Sequence, residues 1–228
     1  MSSELLRKLE LQFGGASNMG KGYWKDYKPY NFPEEYNKNI VFQKKSVENK
    51  NLRMFEVGGD RMAPSCGNYS EIYSKYLSPF FNKEKGNFCE VGILKGIGLA
   101  IWCDTFKKDW KIYGLDIDLS NFNDNLNNLK QYGAFKKNLP LLHEYNQLDK
   151  NSKLFEKMKV KFNVVIDDAL HTNEAILNTF NHIEAFLDDE FIYFIEDNMY
   201  IYDILVEKYK NKYKIIKPCS SMTIITNK

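Results

Sequence analysis

Two short acidic segments carry the side chains best suited to chemistry. Residues 166–171 read Ile-Asp-Asp-Ala-Leu-His and residues 195–198 read Ile-Glu-Asp-Asn, and each segment ends an apolar run. A short apolar run predicts a buried strand, and the carboxyl ends of parallel strands meet at one edge of a sheet. We therefore expect these carboxylates and His171 to lie close together at that edge.

Carboxylates that converge in this way favour a bound cation, because their mutual repulsion is large in a partly dry cleft. Oxygen ligands suit a hard divalent ion such as Mg²⁺ or Mn²⁺. Such an ion lowers the pKa of a bound hydroxyl, and His171 is able to accept the proton at neutral pH. A structural interpretation stays open, in which Asp167 or Asp168 caps a helix and His171 lies on the surface. His143 and His182 are interpreted as structural.

A glycine-rich turn follows the first predicted strand. Residues 90–98 have the spacing Glu-x-Gly-x-x-x-Gly-x-Gly, which begins with Glu90, Gly92 and Gly96. Glycine lets the backbone approach a ligand closely and lets a helix start at once. The spacing differs from the Gly-x-Gly-x-x-Gly turn that aims a helix at a pyrophosphate. A carboxylate in the turn instead suits S-adenosylmethionine, which carries a sulfonium and an ammonium group and no phosphate.

Polar residues after the next two predicted strands complete a nucleoside site. Asp116 and Asp118 end the second strand, where a carboxylate can accept hydrogen bonds from both ribose hydroxyls. Gln147 and Asp149 follow the third strand, where the adenine amino group would lie. The alternative is that the glycines of the turn only pack a strand against a helix.

Apolar periodicity predicts the elements that position these residues. Strands alternate with helices, which predicts an α/β fold with a doubly wound, mostly parallel sheet of seven strands. The last two strands are closely joined and predict a C-terminal antiparallel hairpin, as in the Rossmann-like methyltransferase fold. The predicted strands are residues 88–93, 111–117, 141–145, 162–166, 191–195, 213–217 and 222–226, and the predicted helices are residues 3–13, 69–81, 99–106, 174–187 and 201–211.

Two domains are predicted. Residues 1–55 would form an N-terminal arm with a short helix, and residues 56–228 would form the S-adenosylmethionine-dependent domain. Tyr and Trp residues are concentrated at 20–36 without a clear period. This part of the arm would either close over a substrate as a lid or pack against the main domain or a second copy of the chain.

The two acidic segments resemble a known family. They look like the IDDGSH and IED motifs of metal-dependent sugar O-methyltransferases, a group of class I S-adenosylmethionine-dependent enzymes that includes mycinamicin-type macrolide and rhamnosyl O-methyltransferases. The resemblance covers roughly residues 57–198, and Gly58-Gly59-Asp60-Arg61 is similar to the family's GTDK. The chain departs from the family at Ala169-Leu170, where Gly-Ser is usual, and at Asn68, where His is usual. Gly59 and Arg61 replace Thr and Lys. These departures concern the substrate more than the chemistry.

The resemblance implies a role for each matching residue. The implied metal ligands are Asp168, Glu196 and Asp197. The implied catalytic residues are Asp168 and His171, with His171 as the general base. The substrate side would include Tyr69, Tyr73 and Asn198. The predicted cofactor residues are then Glu90, Gly92, Gly96, Asp116, Asp118, Gln147, Asp149, Asp167 and Asp60.

These observations predict that a methyl group moves from S-adenosylmethionine to a sugar hydroxyl with the help of Mg²⁺ or Mn²⁺. By analogy, the expected acceptor is a nucleotide-activated sugar or a saccharide of bacterial surface polysaccharide such as capsule. A small catechol-type acceptor is one alternative, because enzymes of that type use carboxylates and an Asn after the fifth strand, and Asp197-Asn198 could serve in this way. A non-catalytic S-adenosylmethionine-binding relative is the other. A nicotinamide dehydrogenase is disfavoured by the glycine spacing and the hairpin.

Composition narrows the partners. The net charge is +2, with 32 basic and 30 acidic residues, so charge gives no reason to expect nucleic acid as the partner. The four cysteines form no CxxC pair and are expected to be reduced thiols. The chain shows neither a signal peptide at its start nor an apolar run of about 18 residues, so a cytoplasmic location is expected. A second copy of the chain is a further expected partner.

Overall fold

The computed structural model describes residues 1–13, 61–62 and 68–227. The aromatic part of the arm at 20–36, the predicted boundary between residues 55 and 56, and the predicted cofactor residue Asp60 lie outside the described residues. Their roles therefore stay predictions.

The core of the fold is a mixed sheet, and the acidic segments were expected at the edge where its parallel strands have their carboxyl ends. Its strands are β1 (Lys85–Val91), β2 (Asp109–Asp116), β3 (Pro140–Glu144), β4 (Phe162–Asp167), β5 (Leu187–Ile195), β6 (Lys214–Cys219) and β7 (Met222–Thr226). Their order is β3-β2-β1-β4-β5-β7-β6. Strands β1 to β5 pair in parallel, and β7 pairs antiparallel with both β5 and β6. The predicted seven-stranded, mostly parallel sheet with a C-terminal hairpin is confirmed.

The strand order places a switch point between β1 and β4. The chain winds outward from β1 to β3 and then returns to the other side of β1. Loops at such a point leave in opposite directions and open a crevice in which ligands of open α/β sheets bind.

Helices follow most of the strands. They are α1 (Ser3–Gln12), α2 (Tyr69–Tyr76), α3 (Ser78–Phe81), α4 (Ile97–Thr105), α5 (Ser120–Gln131), α6 (Leu154–Met158), α7 (Asn173–Ile183) and α8 (Ile201–Tyr209). The helix predicted over 69–81 is divided into α2 and α3, because Pro79 has no N–H to continue the helical hydrogen bonds. The prediction missed α5 and α6. In the asparagine-rich α5, the buried Phe122 and Leu129 lie two helical turns apart on one face.

The chain divides into two compact units. The unit that contains the sheet comprises Asn82–Ile93, Lys107–Ser120 and Asn138–Lys228. On one face of its sheet, residues of α6, α7 and α8 form a continuous apolar core with alternate residues of the strands. Members of this core include Cys89, Val91, Val165, Tyr193, Phe155, Ile176, Phe180 and Leu205.

The other unit comprises Met1–Phe81, Leu94–Phe106 and Asn121–Lys137. Within it, Tyr73 of α2 packs edge-on against Trp102 of α4, with ring centroids 5.0 Å apart. Gly96 precedes α4 with a φ of 77°, and a Cβ at this position would lie 2.3 Å from the ring of Phe122. Glycine is therefore required here by the packing of this unit itself. Among the described helices, none combines the length and the apolar composition that crossing a bilayer requires.

Candidate functional site

Backbone hydrogen bonds extend the parallel pairing just beyond the strands at the carboxyl-end edge. The amide of Asp168 donates to the carbonyl of Val91 at 2.8 Å, and the amide of Gly92 donates to that of Leu115 at 2.8 Å. The amide of Glu196 donates to the carbonyl of Asp167 at 3.0 Å. The tips of β1, β2, β4 and β5 are therefore held in fixed register.

Gly92 has the most constrained position on this edge. Its φ is 88°, and a Cβ added to it would lie 2.4 Å from the carbonyl oxygen of Asp168 and 2.5 Å from the Cα of Ala169. Both contacts are with backbone, which cannot move aside as a flexible side chain can. Glycine is needed here so that the tip of β4 can approach the turn, in addition to any approach by a ligand.

Asp116 and Asp118 have different surroundings. The carboxylate of Asp116 accepts hydrogen bonds from the amide of Ile93 at 3.0 Å and from the amide of Asp118 at 3.3 Å, so it lies against the glycine turn. The carboxylate of Asp118 accepts from the amide and the hydroxyl of Ser120, which lowers the pKa of Asp118. Asp118 is exposed and holds the start of α5. Of the two carboxylates, Asp116 is the one that contacts the glycine turn, and the predicted contacts of both with the cofactor stay predictions.

Asp167 belongs to a buried polar network. Its carboxylate accepts hydrogen bonds from Gln147 Nε2 at 2.7 Å and from the hydroxyl of Tyr193 at 3.0 Å. Burial raises the pKa of Asp167 to about 7, against the opposing effect of these hydrogen bonds. Gln147 Nε2 also donates to Thr179, and Gln147 Oε1 accepts from the amide of Leu170. Both amide protons of Gln147 are therefore bonded to protein groups.

The predicted adenine-side residue Asp149 is exposed, and its carboxylate accepts a hydrogen bond from the amide of Asn151 at 3.0 Å. The predicted contacts of Gln147, Asp149 and Asp167 with the cofactor stay predictions. Sequence reasoning missed Tyr193 and Thr179 as members of the network. The available signal was the occurrence of polar side chains at positions predicted to be buried.

Side chains at the ends of β4 and β5 separate onto the two faces of the sheet. Asp167 pairs with Val91 and Ile195, which belong to the core under α7. Glu90 pairs with Ile166 on the opposite face, where Glu196 would also fall by alternation. Both of these glutamates are buried. The adjacent residues Asp167 and Asp168 consequently have different environments.

Three side chains converge at the ends of β4 and β5. The ligand atoms of Asp168, His171 and Asp197 all lie within 4.8 Å of one another, with Asp168 half-buried and the other two exposed. Asp197 has a φ of 54°, a left-handed conformation that is uncommon for residues other than glycine. Glu196, which was predicted as a ligand, is not in this group, so its role in metal binding stays a prediction.

The carboxylates of Asp168 and Asp197 are the kind of oxygen ligands that a hard divalent cation such as Mg²⁺ or Mn²⁺ prefers. One ring nitrogen of His171 lies within 4.8 Å of an oxygen of each carboxylate. His171 is therefore close enough to accept a proton from a hydroxyl that such a cation would bind.

Asn198 contacts several elements at once. Its Nδ2 donates to the carbonyl of His171 and to Oδ1 of Asn173, both at 2.9 Å. Its Oδ1 accepts from the amides of Tyr200 at 2.8 Å and Ile201 at 2.7 Å. Four bonds use both donors and both acceptor positions of the amide. This leaves no lone pair of Oδ1 for a metal, unlike the arrangement expected of a catechol-type enzyme. The predicted contact of Asn198 with a substrate stays a prediction.

The other predicted substrate residues lie in the unit that contains α2 and α4. Tyr69 and Tyr73 are 1% and 0% exposed, so their side chains are part of its core. Their role toward an acceptor stays a prediction.

The strand order and the antiparallel seventh strand define the class I methyltransferase fold. Solved structures with this fold include MycE of the mycinamycin biosynthetic pathway in complex with Mg and SAH, with a TM-score of 0.54, 16% identity and 86% of this chain covered. The chain spans only 63% of the length of MycE. The predicted resemblance to this class is confirmed at the level of the fold.

Two further solved structures are similar to the chain. CalS11, a TDP-rhamnose 3'-O-methyltransferase of calicheamicin biosynthesis, has a TM-score of 0.53 and 14% identity over 86% of this chain and 96% of its own. A putative rRNA-methylase from Clostridium thermocellum has a TM-score of 0.50 and 11% identity over 68% of this chain and 92% of its own. No protein-family model and no curated protein sequence matches the chain. At these identities the likeness is one of fold.

Proposed function

We propose that the chain is a metal-dependent O-methyltransferase that moves a methyl group from S-adenosylmethionine to a sugar hydroxyl. The observation that carries this proposal is the convergence of Asp168, His171 and Asp197 at the carboxyl-end edge of a sheet with methyltransferase strand order. Ligands of open α/β sheets bind at this edge, and the donor set fits Mg²⁺ or Mn²⁺.

The cofactor would occupy the crevice beside β1. S-adenosylmethionine supplies a methyl group activated by a sulfonium. Asp116 is oriented by the amide of Ile93 and would accept the ribose hydroxyls, because a carboxylate oxygen can accept more than one hydrogen bond. Glu90 is fully buried at the end of β1, and a cationic group nearby would offset the cost of its burial.

The acceptor hydroxyl would lie at the cluster. Asp168 and Asp197 would hold a divalent cation, which would lower the pKa of a hydroxyl bound to it. The imidazole of His171 would accept the hydroxyl proton on a ring nitrogen, while the C–O bond forms, the C–S bond of the cofactor breaks and S-adenosylhomocysteine leaves. Holding both reactants in line removes most of the entropic cost of the encounter.

A sugar acceptor is supported by analogy alone, through the sugar-modifying CalS11 and the macrolide-pathway enzyme MycE. We propose as acceptor a nucleotide-activated sugar or a saccharide of bacterial surface polysaccharide such as capsule. We propose a cytoplasmic location for the enzyme. The filled hydrogen-bonding capacity of Asn198 argues against a catechol-type metal site. The near balance of charge gives no reason to choose nucleic acid as the acceptor.

A screen of nucleotide sugars tests the proposal. The purified chain is incubated with S-adenosylmethionine, Mg²⁺ or Mn²⁺ and each sugar, and products are read by mass spectrometry. Catechol and a ribosomal RNA fragment serve as other acceptors. We expect a methylated sugar that disappears with EDTA, and a His171→Ala variant slowed at least a hundredfold. His143→Ala, on β3, is the matched control and should keep its activity. Methylation only of catechol or RNA, or full activity in EDTA, would overturn the proposal.

A further inference from the structure

Asn198 lies where four parts of the sheet-containing unit meet. It follows Asp197 at the end of β5, and its backbone amide donates to the carbonyl of Ser221 in the turn between β6 and β7 at 3.1 Å. Its side chain reaches the residues before and at the start of α7 and the residues that begin α8. Asn198 is 5% exposed, so water competes little for these bonds.

The two donor bonds and the two acceptor bonds of the side chain have different consequences. The acceptor bonds from Tyr200 and Ile201 satisfy amides at the start of α8, which is the ordinary work of a helix cap. The donor bonds join Asn198 to the carbonyl of His171 and to Asn173, which belong to the loop after β4 and to α7. The donor bonds connect the loop that carries His171 to the residue adjacent to Asp197.

Other hydrogen bonds of the loop that carries His171 lead away from β5. The amide of Asp168 donates to the carbonyl of Val91 at the end of β1, and the amide of Leu170 donates to Gln147, both at 2.8 Å. The amide of Thr172 donates to the carbonyl of Leu170 within the loop itself. The bond from Asn198, by contrast, links the backbone of His171 directly to the Asp197 side of the cluster.

We propose that Asn198 is a positioning residue, whose side-chain amide fixes the backbone of His171 relative to Asp197 and so preforms the three-residue cluster. The side chain acts through the main chain of His171 and touches neither acceptor nor cofactor. The catalytic consequence rests on the function proposed above, whereas the structural tether does not.

Two variants separate the tether from the helix cap. Asn198→Asp is isosteric and keeps both acceptor bonds to α8 but has no amide protons to donate. Asn198→Ser adds no charge, and its hydroxyl can still cap the helix. Asn173→Ala is the matched control, because it removes a neighbouring acceptor and leaves the bond to His171 in place.

The first measurement is hydrogen–deuterium exchange of the wild type and the three variants, which requires no substrate. We expect the amides of residues 168–172 to exchange at least tenfold faster in both Asn198 variants than in the wild type. The amides of α8 in these variants, and the amides of residues 168–172 in Asn173→Ala, should exchange within about threefold of the wild-type rate. Unchanged exchange at residues 168–172 in both Asn198 variants would overturn the tether.

The second measurement is steady-state methyl transfer. For the Asn198 variants we expect kcat to fall at least tenfold, with the KM for S-adenosylmethionine within about twofold, because the tether lies on the side of the base. A loss that resides in the KM for S-adenosylmethionine would overturn the positioning role.

The tether and the proposed function can fail independently. If exchange accelerates as expected but the wild type transfers no methyl group to any acceptor, the tether stands and the proposed function fails. Normal kcat in both variants of an active enzyme would overturn the catalytic consequence.

Discussion

At the scale of single residues, two adjacent aspartates at the end of β4 have different surroundings because their side chains face opposite sides of the sheet. Asp167 faces the core under α7 and is bonded to Gln147 and Tyr193. Asp168 is half-buried and lies with His171 and Asp197. Since successive residues of a strand face opposite sides, only the second of the pair reaches the cluster.

The buried carboxyl of Asp167 makes stability depend on pH. Its pKa is about 7 in the folded chain and near 3.8 when unfolded, so unfolding releases a proton between these values and stability falls as pH rises. The loss is at most about 4 kcal/mol, since one pKa unit corresponds to about 1.4 kcal/mol. The free energy of unfolding, measured with urea, should fall for the wild type relative to Asp167→Asn as the pH rises from about 4 to about 8. A stability difference that does not change with pH would contradict this assignment.

A second prediction at this scale concerns Gly92. Replacing it with alanine adds a strained positive φ and a clash with the backbone of Asp168 and Ala169, costs of about 1–3 kcal/mol each. Gly133→Ala is a matched control, because its φ is also positive at 84° but the nearest atom, 3.0 Å away, is the flexible end of Lys136. Urea unfolding should show the larger loss for Gly92→Ala. If both variants lose the same free energy of unfolding, the close approach of β4 to Gly92 adds nothing to the cost of the positive φ.

At the scale of elements, the strands were the most predictable part of the molecule. Apolar runs marked the central strands, and β7 matches its predicted bounds at 222–226. The start of β5 was missed because Asp188, Asp189 and Glu190 interrupt its apolar pattern. Helix α5 was missed because its many asparagines have low helix propensity, so the spacing of Phe122 and Leu129 was the remaining signal.

The candidate site was predictable in its position and less so in its internal contacts. The strand ends place Asp168, His171 and Asp197 together as expected. The amides of Gln147 and Asn198 are bonded to protein groups, which the sequence did not predict, and their predicted contacts with ligands stay predictions. Sequence alone cannot show this, because an amide at a strand end is equally suited to binding a ligand or neighbouring loops, and only tertiary contacts distinguish the two.

Helix α7 begins directly after the loop that carries His171, and its cap is testable. The hydroxyl of Thr172 accepts a hydrogen bond from the amide of Ala175 at 3.3 Å. Thr172→Ala should therefore lower the free energy of unfolding by about 1 kcal/mol, and Thr172→Ser should retain most of it. Chemical denaturation measures both. Equal stability of the alanine variant and the wild type would show that the cap contributes nothing.

At the scale of the whole molecule, the sheet order defines the fold and leaves the reaction to the site. MycE, CalS11 and a putative rRNA-methylase share the fold with this chain at 11–16% identity, although their names indicate different substrates. Because one fold hosts many activities, the proposed metal-assisted reaction rests on the cluster at the ends of β4 and β5 and not on the fold.

Binding of Mn²⁺, followed by electron paramagnetic resonance in the presence of S-adenosylhomocysteine, tests the account most directly, because it needs no acceptor. Asp197→Asn is compared with Asp189→Asn, which changes an exposed carboxylate near the opposite end of β5. We predict one bound ion in the wild type and in Asp189→Asn, and binding at least tenfold weaker in Asp197→Asn. Equal Mn²⁺ affinity in the two variants, or no bound ion in the wild type, would contradict a metal-assisted site at Asp168, His171 and Asp197.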